Sequence, residues 1–255
     1  MRSPGVLSVL AVLLALGGCG GDGETTTVTV RETVTETGTV SVPSEAPVVV
    51  SLYFLRDGKV WPEQRSFVSR PAIATAAIHQ LFEGTESDLE TAIPSGTKLK
   101  SLRIDGSLAT IAFTPRLADR EALAQIVYTL TQFPSVKRVA VDGGSPVGRG
   151  SFEQQTPAIL VESPLGGEEV EPGFVVTGTA NTFEATFEYE LKDAAGKVLK
   201  KDFVTATSGS GTRGTFEFTV PYEVAEAQQG TLTVFEVSAA DGSRTHESSI
   251  PLRLR

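Results

Sequence analysis

The sequence predicts an α+β domain followed by an all-β two-sheet sandwich, both carried behind an export signal and a polar tether. Three observations point there. An apolar run of signal length ends at Cys19, the only cysteine of the 255 residues. Residues 47–145 alternate strand pairs with two helical repeats. Residues 158–255 hold about seven short strand-like runs and no helical repeat of useful length.

Composition narrows function before any motif does. Basic residues number 22 and acidic residues 31, giving a formal charge of −9. That is the wrong sign for neutralising phosphates along a nucleic acid, so no nucleic-acid partner is expected. The charge is uneven: residues 47–145 hold eleven basic and ten acidic residues, and residues 158–255 hold eight and fifteen. Two histidines, His79 and His246, and the single cysteine exclude internal disulfides, Cys/His zinc sites and a cysteine-protease pairing in the folded part. No catalytic residue, metal ligand or cofactor is assigned.

Residues 1–18 read as a lipoprotein signal peptide. Arg2 precedes a run from Val6 to Leu16 that is apolar except for Ser8, and small residues stand before Cys19. The run is too short for a permanent helical span, which needs about 20 residues. Leu16-Gly17-Gly18-Cys19 resembles a bacterial lipobox, which implies cleavage before Cys19 and acylation of its thiol. Two or three acyl chains, palmitate among them, each contributing about 0.8 kcal/mol per buried CH₂, would hold a soluble body on a membrane. The expected location is therefore the outer face of the cell membrane.

Residues 20–46 form the tether. They are rich in Gly, Thr, Val and Glu, with no aromatic residue and little apolar surface to hold a strand in place. A flexible chain of this length keeps its load roughly 30 Å from the anchor.

In residues 47–145, Pro47 to Leu55 is a nearly continuous apolar run followed by Arg56-Asp57-Gly58 and Lys59-Val60-Trp61, a buried strand entering a hairpin. Trp61 is read as packing at a strand end, with a ligand platform as the alternative. A helix opening at Pro71 places Ala74, Ala77, Ile78 and Leu81 on one face and Gly84 at its cap, which leaves His79 exposed. Leu99 to Ile104 and Leu108 to Phe113 flank Asp105-Gly106 as a second hairpin. A second helix runs from about Ala118 to Gln132 with Leu123, Ile126, Val127 and Leu130 at its repeat, and Pro134 stops it before a strand over Val136 to Val141. Strands covered by two amphipathic helices make an α+β domain with a mixed sheet.

The segments Ile78 to Gly84, Ala92 to Thr97, Ile104 to Gly106, Tyr128 to Pro134 and Val139 to Gly143, in that order and spacing, resemble the GerMN domain of sporulation and spore germination lipoproteins. The resemblance implies a non-enzymatic module related in shape to ring-building domains, so self-association is one implied behaviour.

Residues 146–157, rich in Gly, Ser, Pro and Gln, read as a linker. In the sandwich beyond, Phe183, Ala185, Phe187, Tyr189 and Leu191 alternate with Glu184, Thr186, Glu188 and Glu190, predicting one buried and one wet face. The glutamates are read as surface rather than as a glycosidase pair, and His246 beside Glu247 as surface rather than a proton shuttle. Ile159 to Pro164, Phe174 to Ala180, Phe183 to Ala185 and Ser238 to Ser243 resemble the immunoglobulin-like domain of bacterial spore germination proteins, covering about residues 158–255. The cysteine pair and core tryptophan of antibody domains are absent, so packing alone must hold it.

The expected function is non-catalytic binding or scaffolding in the cell envelope, tied to sporulation or germination by the resemblance. The partner is a membrane through the lipid anchor, together with an envelope protein assembly or the cell-wall polymer. A cell-wall-active hydrolase and an accessory lipoprotein modulating a membrane sensor are the alternatives.

Overall fold

The computed structural model describes residues 47–68 and 72–255. The predicted signal peptide, Cys19, the tether and Pro71 lie outside the described residues. The described residues form one compact unit holding two hydrophobic cores.

The first half contains β1 (Val48–Arg56), β2 (Lys59–Phe67), α1 (Ile73–Phe82), β3 (Lys98–Asp105), β4 (Leu108–Thr114), α2 (Arg120–Thr131) and β5 (Arg138–Val141). Its mixed sheet has the order β3-β4-β5, with β3 antiparallel and β5 parallel to β4. β1 and β2 make a separate antiparallel ribbon turned at Asp57-Gly58, both with positive φ, the backbone a two-residue hairpin requires. β2 runs on through Pro62 to Phe67, further than the sequence reading took it. Proline is tolerated there because β2 is an edge strand.

A two-stranded ribbon is marginal alone, and α2 supplies what it lacks. Its N-cap Asp119 accepts from the amides of Glu121 and Ala122 at 2.9 Å. Its apolar face buries Ala122, Ile126, Val127 and Leu130. Its polar residues Gln125, Thr129 and Gln132 meet the free edge of β1. Thr129 Oγ1 accepts from the Tyr53 amide at 3.1 Å, and Gln125 Nε2 donates to the Tyr53 carbonyl at 3.0 Å. Gln132 Oε1 accepts from the Ser51 amide at 2.8 Å. Leu55 completes the edge by exchanging two backbone hydrogen bonds with Glu90. An edge that would otherwise bury unpaired backbone groups is thereby satisfied by side chains.

The second half is all β: β6 (Ile159–Ser163), β7 (Glu169–Val170), β8 (Phe174–Ala180), β9 (Thr186–Asp193), β10 (Val198–Thr205), β11 (Gly214–Val220), β12 (Gln228–Val237) and β13 (Arg244–Leu254). They form two sheets, ordered β10-β9-β12-β13-β7 and β11-β8-β6. Aromatic contacts stand in for the missing disulfide, with Phe187 and Phe216 at 4.9 Å and Tyr189 stacked on Phe218 at 4.5 Å. Gly178 on β8 is forced, since a Cβ there would lie 2.1 Å from the Leu160 carbonyl oxygen of β6.

Three sequence expectations need correction. Phe183 is 63% exposed rather than buried. The chain turns through a 3-10 segment at Phe183–Ala185, with Glu184 and Ala185 at positive φ, so the alternation starts only at Thr186. Glu190, read as solvated, is 5% exposed and held by Lys192 at 2.6 Å and Arg244 at 2.9 Å. Residues 146–157, read as a linker, contain a 3-10 helix over Arg149–Gln155 whose Phe152 is buried in the first core.

Candidate functional site

The strand that leads into the sandwich serves both cores. On β6, Ile159 and Val161 enter the second core, whereas Leu160 is buried in the first. The period of two that sends alternate side chains to opposite faces thus gives each domain one face of β6. Glu162 follows Leu160 toward the first domain, where its Oε1 accepts from Arg149 Nη1 at 2.6 Å and from the Tyr53 hydroxyl.

Arg149 is wedged between two aromatic rings, its Cζ 4.6 Å from the Tyr128 centroid and 5.3 Å from that of Tyr53. Its Nε donates to Thr131 Oγ1 at 2.8 Å. Burial disfavours the charged guanidinium, but the surrounding phenols and the Glu162 carboxylate outweigh it, so its pKa is raised. Burial and the same carboxylate push the Tyr53 hydroxyl far above its ordinary value. The Tyr128 hydroxyl is paired with Thr156 Oγ1 at 2.6 Å. A second brace joins Glu153 to Arg213 at 2.9 Å and to Asn181 at 2.8 Å. Gln64 donates to Glu168 at 2.8 Å across the same junction. These contacts hold the two halves together.

Beside this fastening lies a cleft of about 400 Å³. One wall is Arg56, Trp61 and Pro62 of the β1-β2 ribbon with Ser87 to Leu89. The other is Val161, Pro164, Leu165 and Gly166 with Ser248 to Pro251 of β13. Arg56 stands 5.8 Å from the Trp61 ring centroid and pairs with Asp88 at 3.0 Å. The Trp61 indole N–H is buried without an acceptor among the described residues. Such an unmet donor costs about 1–3 kcal/mol.

The remaining ionisable group of the cleft, Glu63, is saturated. Its carboxylate accepts from Ser87 and Thr85 hydroxyls at 2.6 Å, from Arg65 at 2.7 Å and from the Glu86 amide at 3.1 Å. Burial alone would raise its pKa, but these bonds outweigh burial and hold it at about 2. A carboxylate so placed is ionised at neutral pH and has no proton to donate as a general acid. The network also ties the Thr85 to Leu89 segment to β2, which fixes the rim of the cleft.

The residues singled out from sequence do not converge. Trp61 is in the cleft rather than merely at a strand end. His79 is exposed on α1. His246 lies on β13, its Nδ1 2.8 Å from Glu236 Oε2. Cys19 lies outside the described residues. No group of three or more His, Cys, Asp or Glu among the described residues could hold a metal ion. Sequence reasoning missed Arg149, Phe152, Leu160 and Glu162. Two signals pointed to them: the lone aromatic Phe152 in a polar stretch, and the unbroken apolar run Ile159-Leu160-Val161, which marks a strand buried on both faces.

Comparisons with known proteins agree with this organisation. No curated protein matches the chain. Similar solved structures include a candidate lipoprotein from Clostridium perfringens, at 22% identity over 42% of this chain and 90% of that one with a TM-score of 0.28. CopC from Methylosinus trichosporium OB3b, at 15% identity, covers 38% of this chain and 92% of that one with a TM-score of 0.24. WR4, a C. elegans MSP family member, at 13% identity, covers 38% and 95% with a TM-score of 0.22. Scores this low carry no argument. The family matches do: residues 51–144 match a family described as sporulation and spore germination, and residues 158–243 match the immunoglobulin-like domain of bacterial spore germination. The chain is therefore a tandem of a sporulation and spore germination domain and the immunoglobulin-like domain of bacterial spore germination.

Proposed function

We propose that the protein is an exported lipoprotein, anchored through Cys19 at the outer face of the cell membrane, that binds an envelope protein without catalysis in a process related to sporulation or germination. The observation that carries the binding reading is the cleft between the two domains. Half of its lining is apolar, including Trp61, Pro164, Leu165 and Pro251, and its charges are already spent in the Arg56–Asp88 pair and the saturated Glu63. A concave site that combines apolar surface with a few fixed polar groups is what a ligand cavity needs. With its only cation already facing Asp88 and its Glu63 saturated, it suits an apolar peptide segment better than a charged wall polymer. Both matched families are described by sporulation and germination rather than by a reaction.

Gly166 gives access for the test. It is exposed at the rim, and a Cβ there meets only Pro251 at 3.8 Å. A photo-reactive residue at Gly166 is expected to crosslink a discrete envelope protein in intact cells, and the same residue at Lys197, on a remote turn, is not. Equal labelling from both positions contradicts the reading. Release of soluble fragments from purified wall material, lost on mutation of a cleft residue, would replace binding with hydrolysis.

A further inference from the structure

We infer that the outer face of the β3-β4-β5 sheet is a docking surface for an anionic lipid bilayer. The register settles which residues share this face. Lys98 pairs with Thr114, Arg103 with Thr110, and Arg138 with Leu108, whereas Ala109, Ile111 and Phe113 point into the core. The register shift between Leu99 and Ser101 adds one residue to β3. Such a bulge re-aims a side chain, and Lys100 there lines a shallow pocket of about 390 Å³ with Ala112, Thr114 and Arg116. Five cations, Lys98, Lys100, Arg103, Arg116 and Arg138, therefore surround one face whose only acid is Asp105, 3.5 Å from Arg103 and as exposed as it is. Asp142, at the pocket's edge, spends both carboxylate oxygens on the amides of Phe113 and Leu117 at 2.7 and 2.9 Å.

This concentration is unusual in a chain of net charge −9. Elsewhere among the described residues of the first half, Arg56 is paired with Asp88, Arg65 with Glu63 and Glu86, and Arg149 with Glu162, and Lys59 and Arg120 donate to backbone carbonyls, while Lys137 is exposed beside Arg138. Lys98, Lys100, Arg116 and Arg138 form no ion pair with a described residue and are all exposed. The face is three strands wide, about 10 Å, and Lys98 to Arg103 spans about 17 Å. The central strand shows only Leu108, Thr110, Ala112 and Thr114 between the cations, so no bulky side chain rises above them. No aromatic residue stands on it for a base to stack on, and no groove runs along it for a polymer strand. Spread charge without a base-stacking aromatic matches a lipid headgroup plane, where each nearby Lys or Arg strengthens binding about fivefold.

The acidic second domain is repelled by the same plane, so docking orients the molecule with the sandwich outward. The inference takes its setting from the lipid-anchored reading, yet its chemistry can be tested without the anchor. Residues 44–255, the compact unit that contains both cores, are floated with vesicles of phosphatidylglycerol and phosphatidylcholine or of phosphatidylcholine alone. The expected result is at least about tenfold more binding to the anionic vesicles at about 0.01 M salt, abolished at about 1 M. Lys100→Glu with Arg116→Glu is expected to remove about tenfold or more of that binding, whereas Lys197→Glu with Arg253→Glu leaves it unchanged. Lack of preference for anionic vesicles, survival of binding in the first pair, or capture of inorganic polyphosphate without vesicle binding overturns the inference. Failure of anchoring would show separately, as a mature chain without acyl mass on Cys19.

Discussion

Two sides of one domain junction are built to opposite rules. On the fastened side, Arg149 lies between the Tyr53 and Tyr128 rings and Glu162 takes hydrogen bonds from both Arg149 and Tyr53. On the open side, a few residues along the same strands, Trp61 and Val161 line a cleft and an indole N–H goes unpaired. Ribbon and β6 feed both. The difference teaches that the cleft need not be closed by its ligand, because the neighbouring fastening fixes the distance between its walls. A preorganised site avoids much of the ordering cost of binding.

The contrast can be broken most strongly from the fastened side. Phe152→Ala should destabilise the protein by about 3–5 kcal/mol in urea unfolding, since it empties a buried aromatic site in the first core. A loss below about 1 kcal/mol would mean that the 149–155 segment merely leans on that core. Glu162→Ala should cost about 2 kcal/mol by leaving Arg149 and the Tyr53 hydroxyl without their acceptor. Adding Arg149→Met should recover part of that loss, a non-additivity that a double-mutant cycle reads directly.

On the open side the effects shrink. The folded pKa of Glu63 is depressed, so its ionised form stabilises the fold above its ordinary value near 4.5. That contribution should be lost as pH falls from there through about 2. Carbon-detected NMR titration of Glu63 checks it, and an inflection near 4.5 would show that the Thr85 to Ser87 network does not persist in solution. Smallest of all, Trp61→Phe should change stability by no more than about 1 kcal/mol, because it removes an unmet donor along with some apolar area.

Local signals made much of the fold legible. Asp57-Gly58 and Asp105-Gly106 sit at hairpin turns, and the alternation from Phe187 to Leu191 selects the buried face of β9. What stayed hidden depends on partners far along the chain. Tyr53 meets Glu162 across 109 residues, and Arg213 meets Glu153 across 60. Glu190 looked solvated because its cation Arg244 comes from β13, 54 residues away. Phe183 failed for a local reason, since two residues at positive φ break the strand pattern beside it. The cleft has no motif at all, being made by four segments, from the β1-β2 ribbon, residues 87–89, residues 161–166 and β13, that only folding brings together.

Trp61, the single tryptophan, makes the central claim measurable at the site itself. A synthetic peptide covering the segment crosslinked at Gly166 is titrated against residues 44–255 while Trp61 emission is followed. The account predicts a saturable change in wavelength or intensity that Gly166→Leu abolishes without lowering the thermal midpoint. Unchanged emission at saturating peptide, or equal affinity in the Gly166→Leu variant, would contradict it.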